Sequence, residues 1–149
     1  MQKCTLALGC FWKPEENFKN LPGIMNTEVG YAGGIEPNVT YEEVCSGKTG
    51  HAEVIRITFD EKIVSFKKIL DLFFKMHDPT QKDMQFPDIG TQYRSEIFYE
   101  TDEQREDAEI ILNKKNKELY GKIKTNISKI KNYCKAEEYH QRYIEKNSR

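Results

Sequence analysis

The chain has 149 residues, with 23 basic against 24 acidic side chains and a formal net charge of −1. That length suits one domain, 1–149, with a sizeable core, and the near balance of charge gives no reason to expect nucleic acid or an anionic membrane as a partner. No apolar stretch approaches membrane-spanning length, and Met1-Gln2-Lys3-Cys4 opens without a signal peptide's apolar region, so the cytoplasm is the expected compartment.

In chain order, apolar patterning predicts a strand over 3–8 and a short helix over 14–20, opened by Pro14-Glu15-Glu16 and stopped by Leu21-Pro22-Gly23. Residues 24–31 are strand-like. Residues 37–50, rich in Gly, Asn, Thr and Ser, read mainly as loop. A strand over 51–59 precedes an amphipathic helix over 65–77, with Phe66, Ile69, Leu70 and Phe73 on one face. Residues 80–90 form a long loop without period, of the kind that is often functional. A strand over 93–99 leads into Thr101-Asp102-Glu103-Gln104, a capping-box pattern opening a helix to about residue 120. A strand over 123–127 and a helix over 136–146 complete the series. The connections vary too much for a doubly wound fold. The expected architecture is a two-layer α+β sandwich with a mixed sheet, a ferredoxin-like plait.

The four cysteines are Cys4, Cys10, Cys45 and Cys134. None forms a Cys-x-x-Cys or a zinc-finger spacing, so a structural metal is not expected, and a reducing compartment disfavours a disulfide framework. Redox or nucleophilic use of a thiol remains. Cys10 stands at a strand-to-helix junction in Gly9-Cys10-Phe11-Trp12, beside the only Trp. A helix N-terminus lowers a thiol pKa from about 8.5, whereas a free Cys more commonly behaves as a small buried hydrophobe. The local sequence favours neither reading.

Strand alternation puts Glu53 on the face of His51, Ile55, Ile57 and Phe59, the more apolar of the two. Burial would raise its pKa and make it a general acid near neutral pH. Solvation at the strand edge, or pairing with Arg56 or Arg94, is the competing expectation. Tyr41 and Tyr93 each adjoin a loop and read equally as cleft hydroxyls or amphipathic core residues. His51, His77 and His140 show no pattern that singles out a base.

Several segments, in order, resemble one family: Gly9-Cys10-Phe11-Trp12, Gly30-Tyr31-Ala32-Gly33-Gly34, residues 40–47 (Thr-Tyr-Glu-Glu-Val-Cys-Ser-Gly), Thr49-Gly50-His51-Ala52-Glu53, His77-Asp78-Pro79-Thr80, residues 88–95 and residues 136–141. The chain is similar over nearly its whole length to the peptide methionine sulfoxide reductases of the A type. The resemblance implies an α+β fold and thiol-dependent reduction of methionine S-sulfoxide, free or in oxidised proteins, with no metal and no bound organic cofactor. It implies Cys10 as nucleophile, Phe11 and Trp12 as a pocket for the sulfoxide methyl, and Glu53 as proton donor to the sulfoxide oxygen. Tyr41 and Tyr93 would bind the same oxygen, and Asp88 would help to position the substrate. Attack leaves Cys10 as a sulfenic acid, recycled by thioredoxin, glutaredoxin or a small thiol.

Departures from the family pattern are Lys13-Pro14 where Gly is usual after the Trp, Leu8 for Gly, and Gln85-Phe86-Pro87 before Asp88. The Gly-rich tail with recycling cysteines is also missing. Cys4 lies on the same strand as Cys10 and is held away from it, and Cys45 is expected to be packed. Cys134, ahead of the last helix in a segment expected to be mobile, or an external thiol is therefore the expected resolving group. Two rival functions are a non-catalytic aromatic-cage binding module and a thiol hydrolase pairing Cys10 with a His. The cage needs neither Cys10 nor Glu53, and the hydrolase should act on an ester or amide and leave sulfoxides untouched.

Overall fold

The computed structural model describes residues 1–147. The elements are β1 (Gln2–Leu8), α1 (Trp12–Phe18), β2 (Ile24–Ala32), α2 (Tyr41–Cys45), β3 (Ala52–Phe59), α3 (Phe66–Met76), β4 (Met84–Gln85), β5 (Asp88–Ile89), β6 (Ser95–Tyr99), α4 (Asp102–Glu118), β7 (Asn126–Lys129), β8 (Cys134–Lys135) and α5 (Tyr143–Asn147). Short 3₁₀ turns occupy Thr91–Tyr93 and Glu138–His140.

Six strands form one sheet in the order β7-β6-β1-β3-β2-β8. Its centre, β6-β1-β3-β2, is antiparallel throughout and is built from a βαββαβ succession, the ferredoxin-like plait. The parallel pairing of β7 with β6 makes the sheet mixed. Alternation sorts the side chains. Cys4, Leu6 and Leu8 of β1, Ile55, Ile57 and Phe59 of β3, and Ile97 of β6 face the helices, packing against Phe18 of α1, Phe66, Ile69, Leu70, Phe73 and Phe74 of α3, and Ala108 and Ile111 of α4. The opposite face, with Ala7, Ala32, Ala52, Val54 and Phe98, is covered by Ile130 and Tyr133.

Several boundaries differ from the sequence-based expectation, each for a local reason. Helix α1 starts at Trp12, two residues early, with Phe11 as N-cap. Pro14 thus sits inside the first turn, where its missing N–H has no intrahelical partner to lose. Helix α2 lies within the stretch read as loop. Thr40 accepts from the Glu43 N–H while the Glu43 carboxylate accepts from the Thr40 N–H, a capping box that the loop-like composition masked. The expected strand over 93–99 begins only at Ser95, which leaves Tyr93 in a 3₁₀ turn. The long loop contains a small hairpin, β4–β5. Strand β7 begins at Asn126 rather than 123, and the expected helix over 136–146 is a 3₁₀ turn followed by the short α5. At α4, Thr101 accepts from the Gln104 N–H as the capping pattern predicts. The Gln104 side chain, however, returns to the Glu100 N–H and the Lys3 carbonyl, tying the helix to β1.

The last segment is stitched to the sheet by side chains that imitate backbone. Buried Gln141 accepts from the Val29 N–H and donates to the carbonyls of Val29 and Ala136, at 2.9–3.0 Å. Buried Glu15 accepts from the Thr27 hydroxyl at 2.8 Å and the Arg142 N–H at 2.6 Å. Gln141→Ala strands the Val29 N–H and is expected to destabilise the fold by about 1–3 kcal/mol, read as a lower denaturant midpoint at unchanged slope.

Candidate active site

Cys10 follows the end of β1 and precedes the first turn of α1. The bend between them needs Gly9, whose φ of +97° is left-handed. A Cβ there would also stand 2.9 Å from Gln85 Cγ, so the β4–β5 hairpin closes directly over the bend. The Cys10 thiol is half-buried. Burial pushes its pKa up to about 12, against the lowering effect of the Trp12 N–H, with Glu53, Asp88 and Cys45 adding repulsion. This reverses the direction expected from the helix N-terminus: desolvation outweighs the one N–H, and Cys10 rests as a thiol.

Glu53 is the second residue of β3, opposite Tyr31 of β2, and is 1% exposed. One oxygen accepts from the Phe11 N–H at 3.3 Å; the other has no partner among the described residues. Neither candidate arginine reaches it, because Arg56 pairs with Glu100 at 3.0 Å and Arg94 with Glu96 at 2.7 Å. Burial therefore dominates and lifts the Glu53 pKa to about 8, with the Phe11 N–H opposing and Asp88 adding. At neutral pH this is a carboxylic acid, not a carboxylate.

Tyr41 is the first residue of α2, its N–H held by Glu137 at 2.9 Å. Burial raises the pKa of its hydroxyl, next the Cys45 thiol it touches, then Glu53 and Tyr93. The Tyr93 hydroxyl is raised by burial, then by Glu53, Cys45, Asp88 and Cys10. Both phenols thus remain donors at any ordinary pH and converge on one neighbourhood with Cys10, Glu53 and Asp88. Asp88 stands on β5 opposite Gln85, half-buried.

Phe11 is buried against Tyr31, ring centroids 5.7 Å apart. Trp12 lies flat on Tyr143, centroids 3.8 Å apart and planes 9° from parallel, and its indole N–H donates to His140 Nδ1 at 3.0 Å. His140 is 1% exposed, within 4.1–5.7 Å of the rings of Phe11, Trp12, Tyr41 and Tyr139. An indole only donates, so the His140 proton sits on Nε2, and burial lowers its pKa, keeping it neutral. His140 and Glu137 are thus the buttress of the aromatic wall. Residues 136–141 carried the resemblance, but periodicity gave them no role.

The other histidines are structural. His77 bonds the Phe73 carbonyl and the Ser95 hydroxyl, both at 2.7 Å, and burial takes its pKa down to about 4. His51 bonds the Asn132 carbonyl at 3.1 Å. All three imidazoles are thus engaged away from Cys10, against the hydrolase reading, and the rings of Phe11, Trp12 and Tyr41 close on His140 rather than forming an open cage. Cys134 is not in a loose segment: it pairs with Tyr31 in β8 and its thiol points to the Val39 carbonyl at 3.7 Å. Cys45, expected to be packed, is exposed. Among the described residues no cluster of three or more His, Cys, Asp or Glu is arranged to hold a metal ion, and no helix is long and apolar enough to cross a membrane.

A raised carboxyl pKa has a stability cost with a defined sign. The folded chain retains the Glu53 proton to about pH 8, whereas the unfolded chain releases it near 4.5. Stability due to this group is complete below pH 4.5 and falls by about 1.4 kcal/mol per pH unit as pH rises towards 8. Glu53→Gln is expected to melt above the parent at pH 8, with the gap closing by pH 4.5, when followed by calorimetry across that range.

The family model described as peptide methionine sulfoxide reductase matches residues 2–149. A protein of Pelagibacter ubique named peptide methionine sulfoxide reductase MsrA is 56% identical over 146 residues, covering 98% of this chain and 99% of that one. The reduced form of Mxr1 from Saccharomyces cerevisiae superposes with a TM-score of 0.94 at 39% identity, over 98% of this chain and 85% of that one. Mxr1 has also been solved in complex with Trx2, and that chain matches with a TM-score of 0.68 at 27% identity, over 95% and 84%. With a matching family model over all but the first residue, this chain belongs to the peptide methionine sulfoxide reductase family.

Proposed function

We propose that residues 1–149 act as one reductase domain that converts methionine S-sulfoxide, in peptides and as the free amino acid, to methionine. The observation that carries this reading is the pairing of a buried, protonated Glu53 with the Cys10 thiol, among two phenols that keep their protons and so can donate. A sulfoxide sulfur is a poor electrophile until its oxygen is protonated or strongly hydrogen-bonded. Glu53 gives its proton to that oxygen, with the Tyr41 and Tyr93 hydroxyls donating to it, while Cys10 Sγ bonds to the sulfur. The oxygen transfers to Cys10, methionine leaves, and the thiol's proton restores Glu53. Cys10 gains one oxygen as sulfenic acid and methionine sulfoxide loses it, so the step balances. Phe11 and Trp12 hold the methyl group. Asp88, on the opposite wall, orients the rest of the substrate.

Recycling consumes two thiols: they reduce the sulfenic acid to thiol, release water and become a disulfide. The Trx2 complex of Mxr1 supports a thioredoxin-type dithiol as donor, with glutaredoxin or a small thiol as alternatives. Of the internal candidates, Cys45 is exposed and its charge adds to the Cys10 shift, whereas Cys134 is anchored in β8. That anchoring supports the external thiol over Cys134, and Cys134→Ser is expected to leave thioredoxin-driven turnover intact.

The deciding experiment is incubation with racemic methionine sulfoxide and dithiothreitol, followed by chiral chromatography. The S epimer at sulfur should disappear and the R epimer persist; equal loss of both contradicts the reading. Cys10→Ser should abolish reduction. Glu53→Gln should slow a single turnover by about 10²–10⁴-fold. The parent's single-turnover rate should fall as pH rises through about 8, where Glu53 loses its proton, and the Gln variant should lack that limb.

A further inference from the structure

The β4–β5 hairpin, which carries Gln85-Phe86-Pro87, forms one wall of the site and presents apolar surface. Gln85 and Asp88 pair across it and share the face towards the catalytic bend: Gln85 packs on Gly9, and the Asp88 charge acts on Cys10 and Glu53. Met84 and Ile89 share the other face. Phe86 and Pro87 form the tip, with Phe86 76% exposed. The tip is held rather than loose: the Phe86 N–H donates to Gln81 Oε1 at 2.7 Å, the Asp78 N–H to Gln85 Oε1 at 3.1 Å, and the Gly90 N–H to the Asp83 carbonyl at 2.9 Å. Across the site a second aromatic is exposed, Tyr139, 56% accessible and packed on His140. The charges acting on Tyr139 are those of Glu137 and Glu42.

A methionine sulfur lies only a few bonds from its Cα. A peptide whose sulfoxide meets Cys10 therefore runs its main chain over this rim, and its neighbouring side chains meet what the rim exposes. The rim offers aromatic surface, and Asp88, Glu42 and Glu137 place acidic groups near it. We infer that Phe86 is a specificity-determining contact for the residues next to the oxidised methionine, favouring apolar neighbours and disfavouring acidic ones. This inference rests on the proposed reading of Cys10 as the attacking thiol.

The test uses dithiothreitol-driven reduction of three peptides carrying one methionine S-sulfoxide between Leu, Gly or Asp neighbours, alongside N-acetyl methionine sulfoxide amide. The kcat/KM of the Leu peptide should exceed that of the Gly peptide by about tenfold, the scale of partly burying one large apolar side chain, and the Asp peptide should be poorest. In Phe86→Ser the Leu-to-Gly ratio should approach one. In Ile89→Ser, altered on the far face of the same hairpin, the ratio should persist. Equal kcat/KM for the three peptides overturns the inference while reduction of the capped amino acid leaves the reading of Cys10 standing. No reduction of the capped amino acid overturns that reading itself. A ratio retained in Phe86→Ser, or lost equally in Ile89→Ser, overturns the role of Phe86. So does a Phe86→Ser defect seen only as weaker use of thioredoxin, which would make the tip a docking point for the reductant.

Discussion

One hydrogen bond, from the Phe11 N–H to the Glu53 carboxyl, joins the two halves of the site. It reaches from the cap of α1 to the start of strand β3 across 42 residues of sequence. Glu53 receives this single donor and no cation, so its carboxyl stays too poorly solvated to ionise at neutral pH. The same bond fixes the backbone that carries Cys10 on one side and Trp12 on the other. An acid kept neutral by burial, set beside a thiol kept neutral by burial, stores no charge at rest. A polar substrate oxygen supplies what both groups lack, an acceptor for the one and a route to charge separation for the other.

The other constraint is the closing segment at residues 136–143. It contributes little core of its own, yet it determines where the aromatic wall stands. Glu137 accepts from the Tyr31 hydroxyl and the Tyr41 N–H, His140 accepts from Trp12, Gln141 extends the edge of β2, and Tyr143 stacks on Trp12. The wall is thus rigid because each member is held by something other than the substrate, the usual condition for a preorganised site. The opposite wall is a two-residue-strand hairpin anchored through Asp78, Gln81 and Gln85, with Phe86 exposed at its tip.

Much of this was legible in the sequence. The amphipathic α3 was plain from Phe66, Ile69, Leu70 and Phe73, and strand alternation alone put Glu53 among Ile55, Ile57 and Phe59. The junction around Cys10 was visible in the glycine and the aromatic pair. What was hidden depends on contacts distant in sequence. The sign of the Cys10 shift needs the amount of surface covering the thiol, which no local motif reports. Helix α2 was masked by Gly- and Asn-rich neighbours although Thr40 and Glu43 spell a capping box. The fate of Arg56, one of the two arginines that could have paired Glu53, is settled by Glu100, 44 residues away in sequence. His140 looked ordinary because its role comes from four rings brought in by three separate elements.

The central claim is that Glu53 is protonated in the resting protein at neutral pH, and it is measurable without turnover. Difference infrared spectroscopy of the parent against Glu53→Gln, or carbon NMR of carboxyl-labelled glutamate, followed over pH 4–10, reads that proton directly. The account predicts a carboxylic-acid signal for Glu53 at pH 7 that titrates away with a midpoint near 8. A carboxylate signal already complete at pH 6, with a midpoint near the ordinary value of about 4.3, would contradict it.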